Sequence, residues 1–210
     1  MIETEVGTEL VIQENTVSPA VSRPTRSVAA RRAWSLSLDH SVGLSLGIVL
    51  FAALTAAGAY ASVPMAPVPM TLQTLFVLLA GTILGPSAGA MSQMLYLAVG
   101  AAGAPVFASG AAGLPWLFGP TGGFLMAFPV AAAVAGWLAG SRRRVWPTLL
   151  GLALGSVLIF IMGAAWLGAT TEWSGSRIVQ VAVLPFLFGA VVKMGIALLV
   201  TRQVARAGRR

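Results

Sequence analysis

The sequence contains a long stretch that is almost free of charge. Between His40 and Glu172, the only charged residues are the consecutive arginines at positions 142–144. Of the 210 residues, 9% are charged, whereas a soluble domain carries roughly 25%. Such a stretch cannot form a water-facing surface, and several of its apolar runs approach the roughly 20 residues that span a bilayer. We therefore predict an all-α, polytopic integral membrane protein.

Six transmembrane helices are predicted from apolar runs that end at glycine, proline or arginine. They cover about residues 42–63, 71–84, 88–102, 121–139, 145–167 and 178–200. The chain is thus predicted to comprise a disordered cytoplasmic tail (1–38), a membrane domain (39–202) and a basic cytoplasmic tail (203–210). The N-terminal tail is polar and lacks the layout of a signal peptide.

The arginines test this helix count, because short cytoplasmic loops accumulate basic residues. Six helices with a cytoplasmic N-terminus place all three basic clusters inside, at residues 23–32, 142–144 and 202–210. We expect a multi-pass protein of the plasma membrane with both termini in the cytoplasm. The net charge of +7 then reflects topology, and no nucleic-acid partner is expected, because the arginines do not interleave with aromatic residues.

Two proline- or glycine-rich connections, at residues 64–70 and 103–120, face outward in this topology. They indicate either a small-molecule site that opens to the outside or rigid connectors, and the topology alone favours neither.

Small residues recur every four positions. Glycines 81, 85 and 89 indicate close packing within the bundle, because small residues allow helix backbones to approach in lipid. The stripe of Ala53, Ala57 and Ala61 in the first helix suits bundle packing and contact with another membrane subunit equally well.

Lys193 is the only lysine, and it lies inside the sixth predicted helix. A charged group at the bilayer centre costs about 2.5–3.5 kcal/mol even on insertion scales, and none of the other five predicted helices contains a carboxylate. Either backbone carbonyls near Pro185 satisfy this ammonium, or it contacts a ligand carboxylate or carbonyl oxygen.

The sequence lacks the residues that nucleotide hydrolysis, metal binding and proton relay require. The chain has no Gly-x-x-x-x-Gly-Lys-Ser/Thr phosphate loop, no cysteine and a single histidine, His40. The helices contain no acidic residue for a proton relay. We therefore expect a binding protein, with no enzymatic activity, no metal site and no cofactor.

The sequence around the outward connections resembles the BioY family, the biotin-binding S components of energy-coupling factor (ECF) transporters. The matching segments are VPMAPVPMTLQTL (63–75), LGP (84–86), Tyr96, GAPVF (103–107) and FGPTGGF (118–124). The resemblance covers about residues 42–200. It implies an S-component-like bundle, biotin as the transported ligand, and as partners a transmembrane coupling subunit and two cytosolic ATPases.

The resemblance also implies roles for particular residues. The family pattern Pro-Phe-x-x-Gly-Asp-x-x-Lys reads PFLFGAVVK at 185–193, so that the lysine, Lys193, is kept while Ala190 replaces the aspartate. The alanine stripe becomes the interface with the coupling subunit, with Ala53 and Ala57 as its best match.

Ala190 removes a potential acceptor for the ureido N–H groups of biotin, and an unsatisfied buried polar group costs about 1–3 kcal/mol. The candidates to replace this acceptor are Gln73, Gln93, Ser109 and Tyr96. Aromatic residues are expected to pack on the apolar part of the ligand: Tyr96, Phe107, Trp116 and Phe118. Trp116 is equally suited to anchor the chain at the membrane interface.

High-affinity biotin capture from outside, followed by uptake, is therefore the leading functional prediction. Two alternatives stay open: a structural or assembly membrane protein without a ligand, and an S component for a different small vitamin.

Overall fold

A computed structural model describes residues 26–63, 65 and 68–207, with side chains from residue 41 onward. Eight α-helices lie within these ranges: α1 (Arg26–Tyr60), α2 (Gln73–Leu84), α3 (Pro86–Ala101), α4 (Leu114–Phe118), α5 (Gly122–Ala139), α6 (Val145–Thr170), α7 (Gly175–Ala182) and α8 (Leu184–Ala207). A 3-10 turn covers Ala108–Gly110, and β1 (Ser62–Val63) pairs antiparallel with β2 (Met70–Thr71). Apart from this short pair, the predicted all-α fold is confirmed.

Four helical segments of the described chain are long and apolar enough to cross a membrane: Ser41–Tyr60, Gly122–Ala139, Val145–Thr170 and Leu184–Ala207. The helices α2 and α3 are shorter, with 12 and 16 residues. At about 1.5 Å per residue, α2 extends about 18 Å, less than the roughly 30 Å of the hydrocarbon core. These six helices correspond to the six that the sequence predicts.

Two predicted boundaries are corrected. The first helix begins at Arg26 rather than near residue 42, so it starts within the segment assigned to the tail. The predicted sixth helix is interrupted at Val183, which has φ −125° and ψ −61°, and forms α7 and α8. Pro185 explains the restart, because proline lacks an N–H and fits only the first turn of a helix.

The two tails are described only in part. The chain divides into two units, residues 1–38 and 39–210, and in the first of these only the helical backbone from Arg26 is described. The predicted disorder of residues 1–25 and the end of the basic tail (208–210) lie outside the described residues. In the basic tail, residues 203–207 continue α8.

The helix α5 lies at the centre of the second unit and packs against α2, α3 and α6. Glycines allow the closest approach: a Cβ atom at Gly89 would lie 2.7 Å from the Cα atom of Gly81, and one at Gly136 would lie 2.5 Å from the carbonyl oxygen of Gly81. The prediction that glycines mediate internal packing is therefore confirmed at positions 81 and 89. At Gly85 a Cβ atom would meet no atom within 4 Å, and its φ of 93° shows that this glycine serves the turn between α2 and α3.

Hydrogen bonds fix which helix ends lie together. The hydroxyls of Thr82 in α2 and Thr201 in α8 are 2.8 Å apart, and Arg143, in the α5–α6 loop, donates from Nε to the carbonyl oxygen of Thr82 at 2.9 Å. We call this the basic end. At the opposite end, the indole of Trp166 donates to the carbonyl oxygen of Gly119 at 2.9 Å, so the end of α6 lies beside the loop that precedes α5.

Candidate ligand-binding site

A cavity lies among α2, α5, α6 and α8, in the half of the bundle away from the basic end. Apolar side chains form most of its wall, including Phe124, Leu125, Phe128, Ile159, Phe160 and Phe186. The polar side chains that line it are Thr71, Gln73, Thr74, Thr121, Ser156 and Lys193. Such apolar walls with a few polar groups suit a ligand with both kinds of surface.

Lys193 is the one charged side chain among the described residues that line this cavity. Its Nζ donates to the carbonyl oxygen of Thr71 at 2.6 Å and to the hydroxyl of Thr74 at 3.1 Å. An ammonium has three donors, so two bonds orient it while one donor remains for a ligand. A backbone carbonyl therefore does hold this ammonium, but it belongs to Thr71 and not to the break near Pro185. The ligand contact stays a prediction.

Gln73 lines the cavity at the start of α2 and is held by its neighbours. Its Nε2 donates to the hydroxyl of Tyr96, which donates in turn to the carbonyl oxygen of Val106 at 3.2 Å. The Oε1 atom of Gln73 accepts from the hydroxyl of Thr71 at 3.0 Å. Tyr96 is buried but does not line the cavity, so it orients Gln73 from behind.

Of the other residues that the sequence singles out, Trp116 lines the cavity, and Gln93, Phe107 and Ser109 do not. Gln93 is fully buried, accepts from Thr55 at 3.2 Å and donates to Ser92 at 3.0 Å. It therefore links α1 to α3.

Phe107 is also fully buried, with its ring edge-to-face against Tyr96 at 5.6 Å. Ser109 is exposed, with a left-handed φ of 59° in the 3-10 turn. The structure thus does not bring Gln93, Phe107 or Ser109 to the cavity, and Phe118, 63% exposed, does not line it either.

Two hydroxyls of the cavity were missed by sequence reasoning. Thr74 bonds to Lys193, and Ser156 in α6 donates to the carbonyl oxygen of Leu152 at 2.8 Å, which leaves its oxygen lone pairs available as acceptors. Ala190 also lines the cavity. In the BioY family pattern this position is an aspartate, so the replaced residue lies at the space available to a ligand.

The alanine stripe of α1 lies on the surface of the described structure. Ala53, Ala57 and Ala61 are exposed, whereas Ala52 and Ala56 pack into the apolar core. Leu46 and Leu50, also exposed, extend the same helix face. Bundle packing therefore does not account for the stripe.

The polar groups of the cavity can hold a ligand by hydrogen bonds. Among the residues whose side chains are described, no carboxylate lines the cavity. The same residues contain no cluster of three or more His, Cys, Asp or Glu that could hold a metal ion. One ammonium, one amide and several hydroxyls can orient a polar ligand by hydrogen bonds.

Comparisons with known proteins agree with this architecture. The model of a family described as the BioY family matches residues 35–210. The chain is 40% identical to a probable biotin transporter BioY of Pyrococcus horikoshii over 157 residues, which cover 75% of this chain and 93% of that protein. It is 34% identical to the biotin transporter BioY of Thermotoga maritima over 158 residues, 75% of this chain and 92% of that one.

A solved structure shares the fold. The crystal structure of the S-component for biotin from an ECF-type ABC transporter superposes with a TM-score of 0.73 and covers 82% of this chain and 94% of that one. The sequence identity is 22%, so this likeness supports the fold alone.

Proposed function

This chain belongs to the BioY family, and from that premise we propose that it binds biotin in the cavity as the substrate-binding subunit of an ECF-type transporter. The observation that carries the proposal is that Lys193 and Gln73 both line a cavity whose wall is mostly apolar. Biotin likewise has polar and apolar parts. Its ureido ring and carboxylate are polar, while its thioether ring and valeryl chain are apolar.

The ureido ring presents two N–H donors and one carbonyl acceptor. With Ala190 at the position of the aspartate, the acceptors come from neutral groups: the amide oxygen of Gln73 and the hydroxyls of Thr74 and Ser156. The free donor of Lys193 binds either the ureido carbonyl or the carboxylate. Neutral acceptors suit a neutral ureido group, because a buried carboxylate without a full set of partners is costly.

The driving force for uptake comes from partners in this proposal: a transmembrane coupling subunit and two cytosolic ATPases. The described cavity lacks groups for chemistry of its own, and the sequence lacks a phosphate loop. The basic end of this membrane protein faces the cytoplasm, as the positive-inside rule favours, and the cavity then lies in the outer half, where capture from outside begins.

Biotin is expected to raise the thermal unfolding temperature of the purified chain in detergent. A ligand at 100 times its Kd stabilises the folded state by about 2.7 kcal/mol. Lipoate shares the valeryl carboxylate but lacks the ureido ring, so it serves as the matched control and is expected to give no shift. No shift with biotin would refute the proposal, and a shift with a different vitamin alone would identify the chain as an S component for that vitamin.

The exposed alanine stripe is the proposed contact with the coupling subunit, because small residues allow close helix approach. The double substitution Ala53→Leu/Ala57→Leu is expected to reduce co-purification of the coupling subunit and ATPases about tenfold, a loss of about 1.4 kcal/mol. Biotin binding by the isolated chain should be unchanged. Ala165→Leu/Ala169→Leu on the exposed face of α6 is the matched control, and equal losses in both variants would contradict this assignment.

A further inference from the structure

Five arginines converge on an open cleft at the basic end of the bundle. The cleft lies between the α5–α6 loop and the last turns of α8. Its basic side chains are Arg142, Arg143, Arg144, Arg202 and Arg206. The proposed binding of biotin does not involve this cleft, which lies at the end opposite the cavity.

One of these arginines builds the cleft. Arg143 adopts a left-handed φ of 43° and donates from Nε to the carbonyl oxygen of Thr82 and from Nη2 to that of Ile83. A cation is favoured at the carbonyl end of a helix, so this side chain fastens the loop to the end of α2. The hydrogen bond between Thr82 and Thr201 brings α8 to the same place.

The other four guanidinium groups lack a carboxylate in the described part of the chain. Between residues 41 and 207 the sole acidic residue is Glu172, which follows α6 at its far end. The 26 residues of α6 separate it from Arg144 by about 39 Å at 1.5 Å per residue. Several guanidinium groups that line one cleft repel one another, so the cleft is electrostatically suited to an anion.

The level of the cleft along the bundle indicates the source of that anion. Trp137, near the end of α5, is 72% exposed, and Trp146, at the start of α6, is 79% exposed. Tryptophan is enriched at the membrane–water interface. From Trp146, α6 continues with the exposed apolar residues Leu150 and Leu154, so a lipid whose headgroup entered the cleft would lay its acyl chain on this surface.

We propose that the cleft binds the phosphodiester headgroup of an anionic phospholipid. Guanidinium groups form paired, charge-assisted hydrogen bonds with phosphate oxygens, and basic pockets between transmembrane helices bind anionic headgroups. Val145 and Val204, which also line the cleft, contact the apolar part of the same lipid. A soluble phosphate could bind the arginines but has no apolar part to contact these valines.

The test uses the full chain, delipidated in a neutral detergent, and compares phosphatidylglycerol with phosphatidylcholine. Lipid retained by the protein is counted by native mass spectrometry, and thermal stability is measured in parallel. We expect the wild type to retain phosphatidylglycerol in preference to phosphatidylcholine. In Arg142→Gln/Arg144→Gln/Arg206→Gln, that preference is expected to fall about tenfold or more, because each basic side chain near the headgroups adds to the attraction.

Two controls make the result specific. Arg177→Gln removes an arginine at the other end, where it lies 4.6 Å from the ring centre of Trp173, and should leave the lipid preference unchanged. The triple Arg→Lys variant keeps the charge and should retain most of the preference, which separates loss of charge from loss of fold. Arg143 is left intact because it holds the loop.

The remaining outcomes would overturn the proposal. Stabilisation by inorganic phosphate equal to that by phosphatidylglycerol would make the cleft a site for soluble anions. An unchanged lipid preference in the triple Gln variant, together with loss of the ATPase subunits on co-purification, would make it a protein interface. Biotin binding that persists in the variant would leave the proposed function standing in either case.

Discussion

Replacement of Lys193 by methionine is expected to lower the affinity for biotin by about 100-fold. Removal of one partner of a buried, hydrogen-bonded charge contact costs about 2–5 kcal/mol, and 100-fold corresponds to about 2.7 kcal/mol. Methionine preserves the apolar stem of the side chain, so the wall of the cavity is retained. The measurement is isothermal titration of the purified chain with biotin.

The same variant leaves two polar groups of the protein without their donor, the carbonyl oxygen of Thr71 and the hydroxyl of Thr74. Thr74→Val therefore serves as a companion: it removes one of these bonds while the ammonium stays, and a smaller loss is expected. Met194→Leu, one position along and outside the cavity lining, is the matched control for changes in α8. Unchanged biotin affinity in Lys193→Met, with Met194→Leu as reference, would refute the role of the lysine.

A double-mutant cycle with the ligand identifies the atom that Lys193 contacts. If the ammonium binds the carboxylate, biotin methyl ester should bind the wild type weakly, and Lys193→Met should cause little further loss with the ester. If it binds the ureido carbonyl, Lys193→Met should cost the same factor with biotin and with the ester. Energies of groups in direct contact are non-additive, which is the basis of the distinction.

The course of the helices could be predicted well because lipid imposes strong constraints. The near absence of charge, with breaks at glycine, proline and arginine, predicted α5 and the start of α6 to within one residue. The interruption at Val183 was hidden because apolar residues continue on both sides of it, at 181–184 and 186–188. Pro185 was the available signal, since a proline at the second residue of a helix usually marks its start.

The candidate site could be predicted only in part. Lys193 stands out because a lone charge in an apolar helix is expensive, but Ser156 does not, since a serine in a membrane helix commonly bonds to the carbonyl four residues before it. Its hydrogen bond to Leu152 would be the same on a lipid-facing surface. Gln93 illustrates the converse: a buried amide in a helix links helices as readily as it binds ligands. Only the tertiary structure distinguishes these cases.

The second large effect is expected at the meeting point of α2, α3 and α5. There Gly81→Ala should lower the free energy of unfolding by about 3 kcal/mol, the upper part of the usual range for overpacking. An added Cβ would lie 2.0 Å from the carbonyl oxygen of Ala132. Gly89 also packs so closely that a Cβ atom on it would lie 2.7 Å from the Cα atom of Gly81. Backbone atoms of two packed helices cannot rotate away as a flexible side chain can, so the helices must separate.

Gly195→Ala in α8 is a matched control because the same atoms are added where no atom lies within 4 Å. Both substitutions gain about 1 kcal/mol of helix propensity, so the difference between them isolates the packing cost. Thermal unfolding followed by tryptophan fluorescence, without ligand, should show a lower midpoint for Gly81→Ala and an equal or higher one for Gly195→Ala. Equal midpoints for the two variants would mean that the three helices tolerate a wider spacing, and the close glycine contact would then not be what stabilises them.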